Sequence, residues 1–179
     1  MLKRRDVQDA PALFSLMSAP SVFPYVRHKA YSVDQLYFLT KQTIEAEECG
    51  ELISRTIVDE YFNPIGTINL FDIENKTGFL ATWVGKPYFG KGYNKLAKDA
   101  FFEEVFYQYE MDAIFMKIRH NNTRSLKAVL KIPFVLHGNQ KYPSVFQKIN
   151  QDAFRYDLYV ITKENYSSHM ETIGSVKVQ

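Results

Sequence analysis

The sequence holds a single cysteine, Cys49, which excludes an internal disulfide and a cysteine-based metal cluster. Cys49 precedes Gly50 at the end of a helical pattern, has no His–Asp partner nearby in sequence, and reads as a buried or idle thiol. The histidines are His28, His120, His137 and His169, and none has metal-ligand spacing, so no metal is expected. No apolar run approaches the ~20 residues that span a bilayer, so no membrane partner is expected. Met1-Leu2-Lys3-Arg4-Arg5-Asp6 has no apolar core behind its charges, so no signal peptide is expected and a cytoplasmic protein is the default. A net charge of +2 lacks the concentrated basic face of a nucleic-acid binder. Internal repeats and low-complexity segments are also missing. What remains is a chain of 179 residues, enough for one domain with a proper core, with plentiful aromatics in 14 Phe and 12 Tyr.

Along the chain, Asp9 can cap a helix with Pro11 in its first turn and Leu13, Leu16 and Met17 on one face. An aromatic loop, Val22 to His28, leads to Ser32-Val33-Asp34-Gln35, a capping-box pattern that opens a second helix through Leu36, Leu39 and Thr43. These two helices either shape a cleft or serve as structural cover. Strand patterns follow at 52–58, 65–72 and 79–84, with turns at Asn63-Pro64 and Glu74–Gly78. Another strand is expected at 113–119, and Asn121-Asn122-Thr123 can cap a short helix carrying Leu126, Val129 and Leu130. Two last strands are expected near 144–149 and 154–162. The order is mixed α and β, with antiparallel hairpins on both sides of one β-α-β crossover.

The crossover carries Thr82-Trp83-Val84-Gly85-Lys86-Pro87-Tyr88-Phe89-Gly90-Lys91-Gly92-Tyr93-Asn94, then an amphipathic run to Tyr107. Leu96, Ala97, Ala100, Phe101 and Val105 form its apolar face, with Lys95, Lys98, Asp99, Glu103 and Glu104 opposite. Gly90 and Gly92 let the backbone turn sharply and approach a ligand. A helix starting directly behind them aims unpaired N–H groups and a positive dipole end at the turn. That makes an anion site of backbone, suited to a phosphate or pyrophosphate. A plain strand-to-helix connection has the same glycine spacing. Lys86, Lys91 and Lys95 gather positive charge there, with Lys91 best placed for a phosphate. Lys91 is followed by Gly92 rather than Ser or Thr, so this is no Walker loop, and the three-glycine dinucleotide fingerprint is absent.

On these residues the chain resembles the GNAT superfamily of acyl-CoA N-acyltransferases, in particular its ribosomal-protein N-terminal acetyltransferases, over roughly residues 2–166, with a tail at 167–179. Phe89-Gly90-Lys91-Gly92-Tyr93-Asn94 stands against the family pattern of Gln/Arg, two free positions, Gly, one free position, Gly/Ala. Gly92 matches, while Phe89 and Asn94 depart. Asn122-Thr123-Arg124-Ser125 resembles Asn-x-x-Ser/Ala at the start of the family's fourth helix, and Phe154 to Tyr159 resembles its last strand. Pro133-Phe134 replaces the usual Gly-Phe. The resemblance implies a single-domain α+β fold over 1–179, with a twisted, mostly antiparallel sheet, a splayed parallel strand pair and helices on both faces. It implies acetyl-CoA as co-substrate and an amine acceptor. The cofactor-binding set would be Trp83, Val84, Phe89, Gly90, Lys91, Gly92, Tyr93, Asn94, Asn122 and Ser125.

For chemistry, the resemblance makes the Val84 N–H the donor that receives the developing oxyanion. The glutamate that relatives often carry before the glycine turn is matched by Phe79 and Leu80, and the acid tyrosine of the fourth helix by Val129. The candidates left for acid or base are Asp72, Glu74, Ser125 and Tyr159. Solvated turn carboxylates and a core aromatic are their bland counterparts. An α-amine with pKa near ~7.8 asks little of a base, whereas a lysine amine near ~10.4 asks much. The leading expectation is an acetyl-CoA-dependent N-acetyltransferase acting on a primary amine, either a protein N-terminus or a small amine, as a monomer or homodimer. The alternative is an acyl-CoA-binding regulatory module with weak transfer.

Overall fold

The structure, a computed structural model, describes residues 1–151 and 153–176. Two compact units emerge, one of Met1–Ile73 with Leu80–Tyr109, the other of Glu74–Phe79 with Glu110–Gln179.

In the first unit, β1 (Leu2–Arg4) pairs antiparallel with β2 (Ile53–Val58), placing Leu2 opposite Ile57. β2 pairs antiparallel with β3 (Pro64–Glu74), setting Ile53 opposite Leu70. β4 (Thr77–Val84) contributes its residues from Leu80 onward, and β3 approaches it closely: a Cβ on Gly66 would stand 2.1 Å from the Trp83 carbonyl oxygen. Helix α1 (Ala10–Met17) buries Ala10, Leu13 and Met17. The loop after it and α2 (Val33–Glu48) add Val22, Val26, Ala30 and Leu36 to one apolar cluster, against which Trp83 and Phe89 pack. Ser32 caps α2 by accepting from the Gln35 N–H at 3.1 Å. β2 is buried on both faces, so the Arg55 guanidinium is neutralised from two sides, by Glu47 on α2 and by Glu104.

Helix α3 (Tyr93–Glu103) continues as a π-helical segment, Glu104–Gln108. Its buried face differs from the sequence expectation. Ala97, Lys98, Phe101, Phe102, Val105 and Phe106 are buried, whereas Leu96 is 63% exposed. The large rings of Phe102 and Phe106, one turn apart, turn inward and carry Lys98, the residue a turn before them, into the same face.

In the second unit, Thr77, Gly78 and Phe79 of β4 pair in parallel with Ala113, Ile114 and Phe115 of β5 (Ala113–Arg119). β5 pairs antiparallel with β7 (Tyr156–Thr162), and β7 with β6 (Leu136–His137). Helices α4 (Thr123–Val129), α5 (Pro143–Ile149) and α6 (Lys163–Val176) complete it. Ile149 of α5 joins Ala113, Phe115, Leu158 and Val160 in a second apolar cluster. Hydrogen bonding follows the order β1-β2-β3-β4-β5-β7-β6, so the chain is mixed α/β, with mostly antiparallel strands and one parallel pair.

Three expectations are corrected. The span near 144–149 is helix α5, not a strand: Pro143 presets the helical φ at its start, and Val145, Phe146 and Ile149 fall at helical spacing. The strand that pairs there is the two-residue β6. Asp9 precedes α1 without a side-chain cap; its carboxylate instead accepts from Lys3 Nζ at 2.8 Å, while Asp6 caps the short turn before it. Residues expected as tail from 167 belong to α6 as far as Val176, and 177–179 lie outside the described residues. β1 has no sequence pattern that announces it.

Candidate active site

After β4, Gly85 leads into a 3₁₀ turn, Lys86–Tyr88, and then Phe89, which packs on the first unit's apolar cluster. Gly90 at φ +73° and Gly92 at φ +88° both adopt the left-handed conformation. Gly92 is the N-cap of α3, and no side chain caps that helix, so the first N–H groups point out of the turn. Around them, Lys91 Nζ lies 5.7 Å from the centre of the Tyr88 ring, and Tyr88 meets Tyr93 edge to face. The Tyr93 hydroxyl donates to the Glu60 carboxylate. That bond holds the Glu60 carboxyl below its ordinary range and pushes the phenol up to about 12, so near neutrality the pair is carboxylate and neutral phenol. Asn94 Nδ2 stands 3.5 Å from Thr82 Oγ1, tying the helix start to β4. Trp83 and Val84 immediately precede the turn, Val84 buried and Trp83 partly so. These eight sequence-expected residues therefore form one continuous feature, and its outward N–H groups and Lys91 suit a pyrophosphate.

The same unit contains a cavity of about 60 Å³. Met17, Phe71 and Trp83 supply apolar wall, while Arg5, Arg27, His28, Thr40, Thr67 and Asn69 supply polar groups. Asn69 is fixed from three sides: its Oδ1 accepts from Ser54, and its Nδ2 donates to Thr67 Oγ1 at 3.2 Å and to the Ala81 carbonyl at 3.4 Å. The His28 ring meets Phe71 edge to face at 5.0 Å. Burial, and then the Arg27 charge, push its imidazole below the ordinary histidine value, against the opposing pull of Asp72.

Asp72 is exposed at φ +53° and bound through both carboxylate oxygens to Arg27; it does not line the cavity. In the second unit, Asn122 caps α4, its side-chain oxygen accepting from the Ser125 N–H at 3.2 Å. Tyr159 is 2% exposed and its ring lies tilted against His137 at 4.7 Å between centroids; burial and then Asp157 push its phenol up. Among the described residues no group of three His, Cys, Asp or Glu is placed to hold a metal ion, and no helix is long and apolar enough to cross a membrane.

Sequence reasoning does not find Arg5, Thr40, Thr67 and Asn69, and places His28 only in a loop. The cavity draws them from β1's end, α2, β3 and the α1–α2 loop, so no local spacing signals them.

The sequence pattern of the family described as acetyltransferase (GNAT) domain matches residues 1–135. No curated protein matches the chain. Among solved structures, the chain is similar to a mutant of spermidine N-acetyltransferase SpeG from Vibrio cholerae, with TM-score 0.71 and 12% identity over 93% of this chain and 96% of that one. It is similar to RimL, a ribosomal L7/L12 α-N-protein acetyltransferase, with TM-score 0.73 and 17% identity over 90% and 88%. It is also similar to FdhC, a nucleotide-linked sugar GNAT, with TM-score 0.74 and 16% identity over 97% and 92%. Likeness at such identities speaks for the fold and leaves the acceptor open.

Proposed function

Because the chain belongs to the acetyltransferase (GNAT) family, we propose that it moves the acetyl group of acetyl-CoA directly to a primary amine, with both units serving one N-acetyltransferase domain. The observation that carries this reading is the left-handed Gly92 standing as sole cap of α3, beside Lys91. Acetyl-CoA supplies the activated acyl thioester. The N–H groups after Gly92 and the Lys91 ammonium hold its pyrophosphate, with Phe89, Gly90, Tyr93 and Asn94 shaping the turn. Trp83 and Val84 backbone groups, with Asn122 and Ser125, take the pantetheine arm, as the family resemblance implies. The three-pair length of the parallel β4–β5 ladder, against strands of eight and seven residues, supports backbone left over for that purpose.

The Val84 N–H stabilises the negative charge that develops on the thioester oxygen. The new N–C bond forms as the C–S bond breaks, and coenzyme A leaves as thiol. We assign the proton of the attacking amine to His28. Among the cavity-lining groups a guanidinium has no acceptor to offer and the hydroxyls and amide are too weakly basic, whereas His28, held below its ordinary value, offers an imidazole nitrogen near pH 7. Asp72, engaged by Arg27 and outside the cavity lining, is the less well placed candidate. Ser125 and Tyr159 are the hydroxyls for returning a proton to sulfur, Ser125 being the less buried.

Calorimetry with acetyl-CoA, followed by thiol release across an amine panel, tests the reading. Binding with turnover of at least one primary amine is the expected result. Failure to bind at millimolar acetyl-CoA would defeat it, and tight binding without turnover on any amine would leave a binding module instead.

A further inference from the structure

The charges around the cavity do not pair off evenly. Asp9 is bound to Lys3 at 2.8 Å, Glu47 to Arg55, and Asp72 to Arg27 at 2.7 Å. Arg5 is the cavity's remaining guanidinium. Among the described residues its hydrogen-bond partner is a neutral hydroxyl, Thr40 Oγ1 at 3.2 Å. Its Nε–H is buried and makes no hydrogen bond. Asp9 and Glu47 act on it through space while each is bonded to another cation, Asp9 through Oδ1 alone, its Oδ2 being buried without a hydrogen bond. Placing a guanidinium largely out of water without a hydrogen-bonded anion is unfavourable, because lost hydration is only partly replaced. The same loss of hydration pulls the Arg5 pKa down to about 10. Among the described residues, the cavity's lining contains no Asp or Glu.

We propose that Arg5 is the anchor of an anion subsite within the acceptor pocket, so that the amine acetylated carries a carboxylate or phosphate a few bonds from its nitrogen. This rests on the transferase reading for the amine, while the anion subsite stands on the cavity itself. Arg5 presents a fork of donors that suits either oxyanion, and an anion there completes the Nε–H as well as the charge. Size agrees. At about 10–15 Å³ per water-sized group, the 60 Å³ cavity holds roughly four to six such groups, which is the scale of an amino-acid head. A polyamine is disfavoured by the same features. Its second ammonium would face Arg5 and Arg27, and among the described residues no carboxylate lines the cavity to receive it. Trp83, in the wall of the same cavity, belongs to the strand that carries Val84.

The test uses the free 179-residue chain and matched probes: β-alanine, its neutral amide, 2-aminoethyl phosphate and spermidine. Calorimetry should give one of the two anionic probes at least tenfold tighter binding than the neutral amide, and the choice between them separates carboxylate from phosphate. The Arg5 Nε–H resonance should move on addition of that probe and stay in place with the amide. Arg5→Gln should abolish the preference while acetyl-CoA affinity is unchanged. Equal or better binding of the amide or spermidine, or an unmoved Nε–H resonance with the anions, overturns the subsite. The wild-type comparisons decide the matter even if Arg5→Gln fails to fold. Acetyl-CoA binding is read separately: its absence defeats the transferase reading alone, whereas acetyl-CoA turnover with spermidine preferred defeats the subsite alone.

Discussion

Arg27 grips Asp72 with one guanidinium nitrogen, 2.8 Å and 2.7 Å from the two carboxylate oxygens, while its guanidinium carbon lies 4.6 Å from the centre of the Phe71 ring. A carboxylate held this way, exposed and outside the cavity lining, is not placed to take a proton from an amine in the cavity.

Asp72→Asn should therefore leave kcat/KM within about tenfold of wild type, since general-base loss is worth ~10²–10⁴. Stability should fall by less than ~1 kcal/mol, the scale of an exposed ion pair. Asparagine tolerates the left-handed backbone at φ +53°, so Asp72→Ala should be the less stable of the two in thermal unfolding. A loss of activity in Asp72→Asn comparable to that of the His28 variant would make Asp72 the base.

His28 should titrate below its ordinary value of 6.5, because burial and then Arg27 disfavour the imidazolium, with Asp72 opposing. Lys29 on the same loop and Arg5 across the cavity add positive charge. As a base it must be neutral, so log(kcat/KM) should rise with pH through this group and then again through the amine near ~7.8. His28→Gln should remove the lower break, lower kcat/KM by ~10²-fold or more, and leave acetyl-CoA affinity intact. Proton NMR of the imidazole gives the same pKa without turnover, and a value above 6.5 contradicts the assignment.

Gly92→Ala should weaken acetyl-CoA binding, measured by calorimetry. In the free chain an added Cβ meets nothing within 4 Å, so the conformational penalty at φ +88° stands alone, about 1–2 kcal/mol. Gly92→Phe should weaken binding further, because its ring occupies the approach to the α3 N–H groups. Unchanged affinity in both variants would remove the turn as the phosphate site.

Lys98 is buried in α3, and its ammonium is pushed down to about 8 by desolvation, against the pull of Asp99. The lowered folded-state value means the unfolded chain binds the proton more readily between about pH 8 and 10.5. Stability should therefore rise with pH across that window, and below it the buried charge works against the fold by ~3 kcal/mol. Lys98→Met should raise Tm at pH 7 and flatten that rise. Denaturant melts at about pH 7 and 9.5, below and inside the window, check both, and a lower Tm in the variant counts against the account.

Most elements are legible in the sequence because their signals are local. The capping residues Ser32 and Asn122 act on N–H groups three positions away, and both bonds are present. The glycine turn is legible for the same reason. Other features are not. β1 is three residues long and has no pattern of its own until β2 pairs with it. The rotated face of α3 is decided by the space available to Phe102 and Phe106, which periodicity alone does not weigh. Segment 143–149 has an apolar pattern that suits strand or helix, and Pro143 tips it to helix. The cavity is the least legible of all, since Arg5 just after β1 and Asn69 within β3 meet in its lining from distant parts of the chain.

Gly92 also makes the site sensitive to handedness. A backbone at φ +88° is the ordinary geometry of a D residue. With open space around it, size is not what keeps L side chains out of the free protein. D-alanine placed there by chemical ligation would sit without torsional strain and shrink the choices open to the unfolded chain, which glycine leaves widest. The turn at the mouth of α3 is thus a position where the mirror-image residue should fold at least as well as glycine, and where its methyl group alone reports how closely the ligand approaches the backbone.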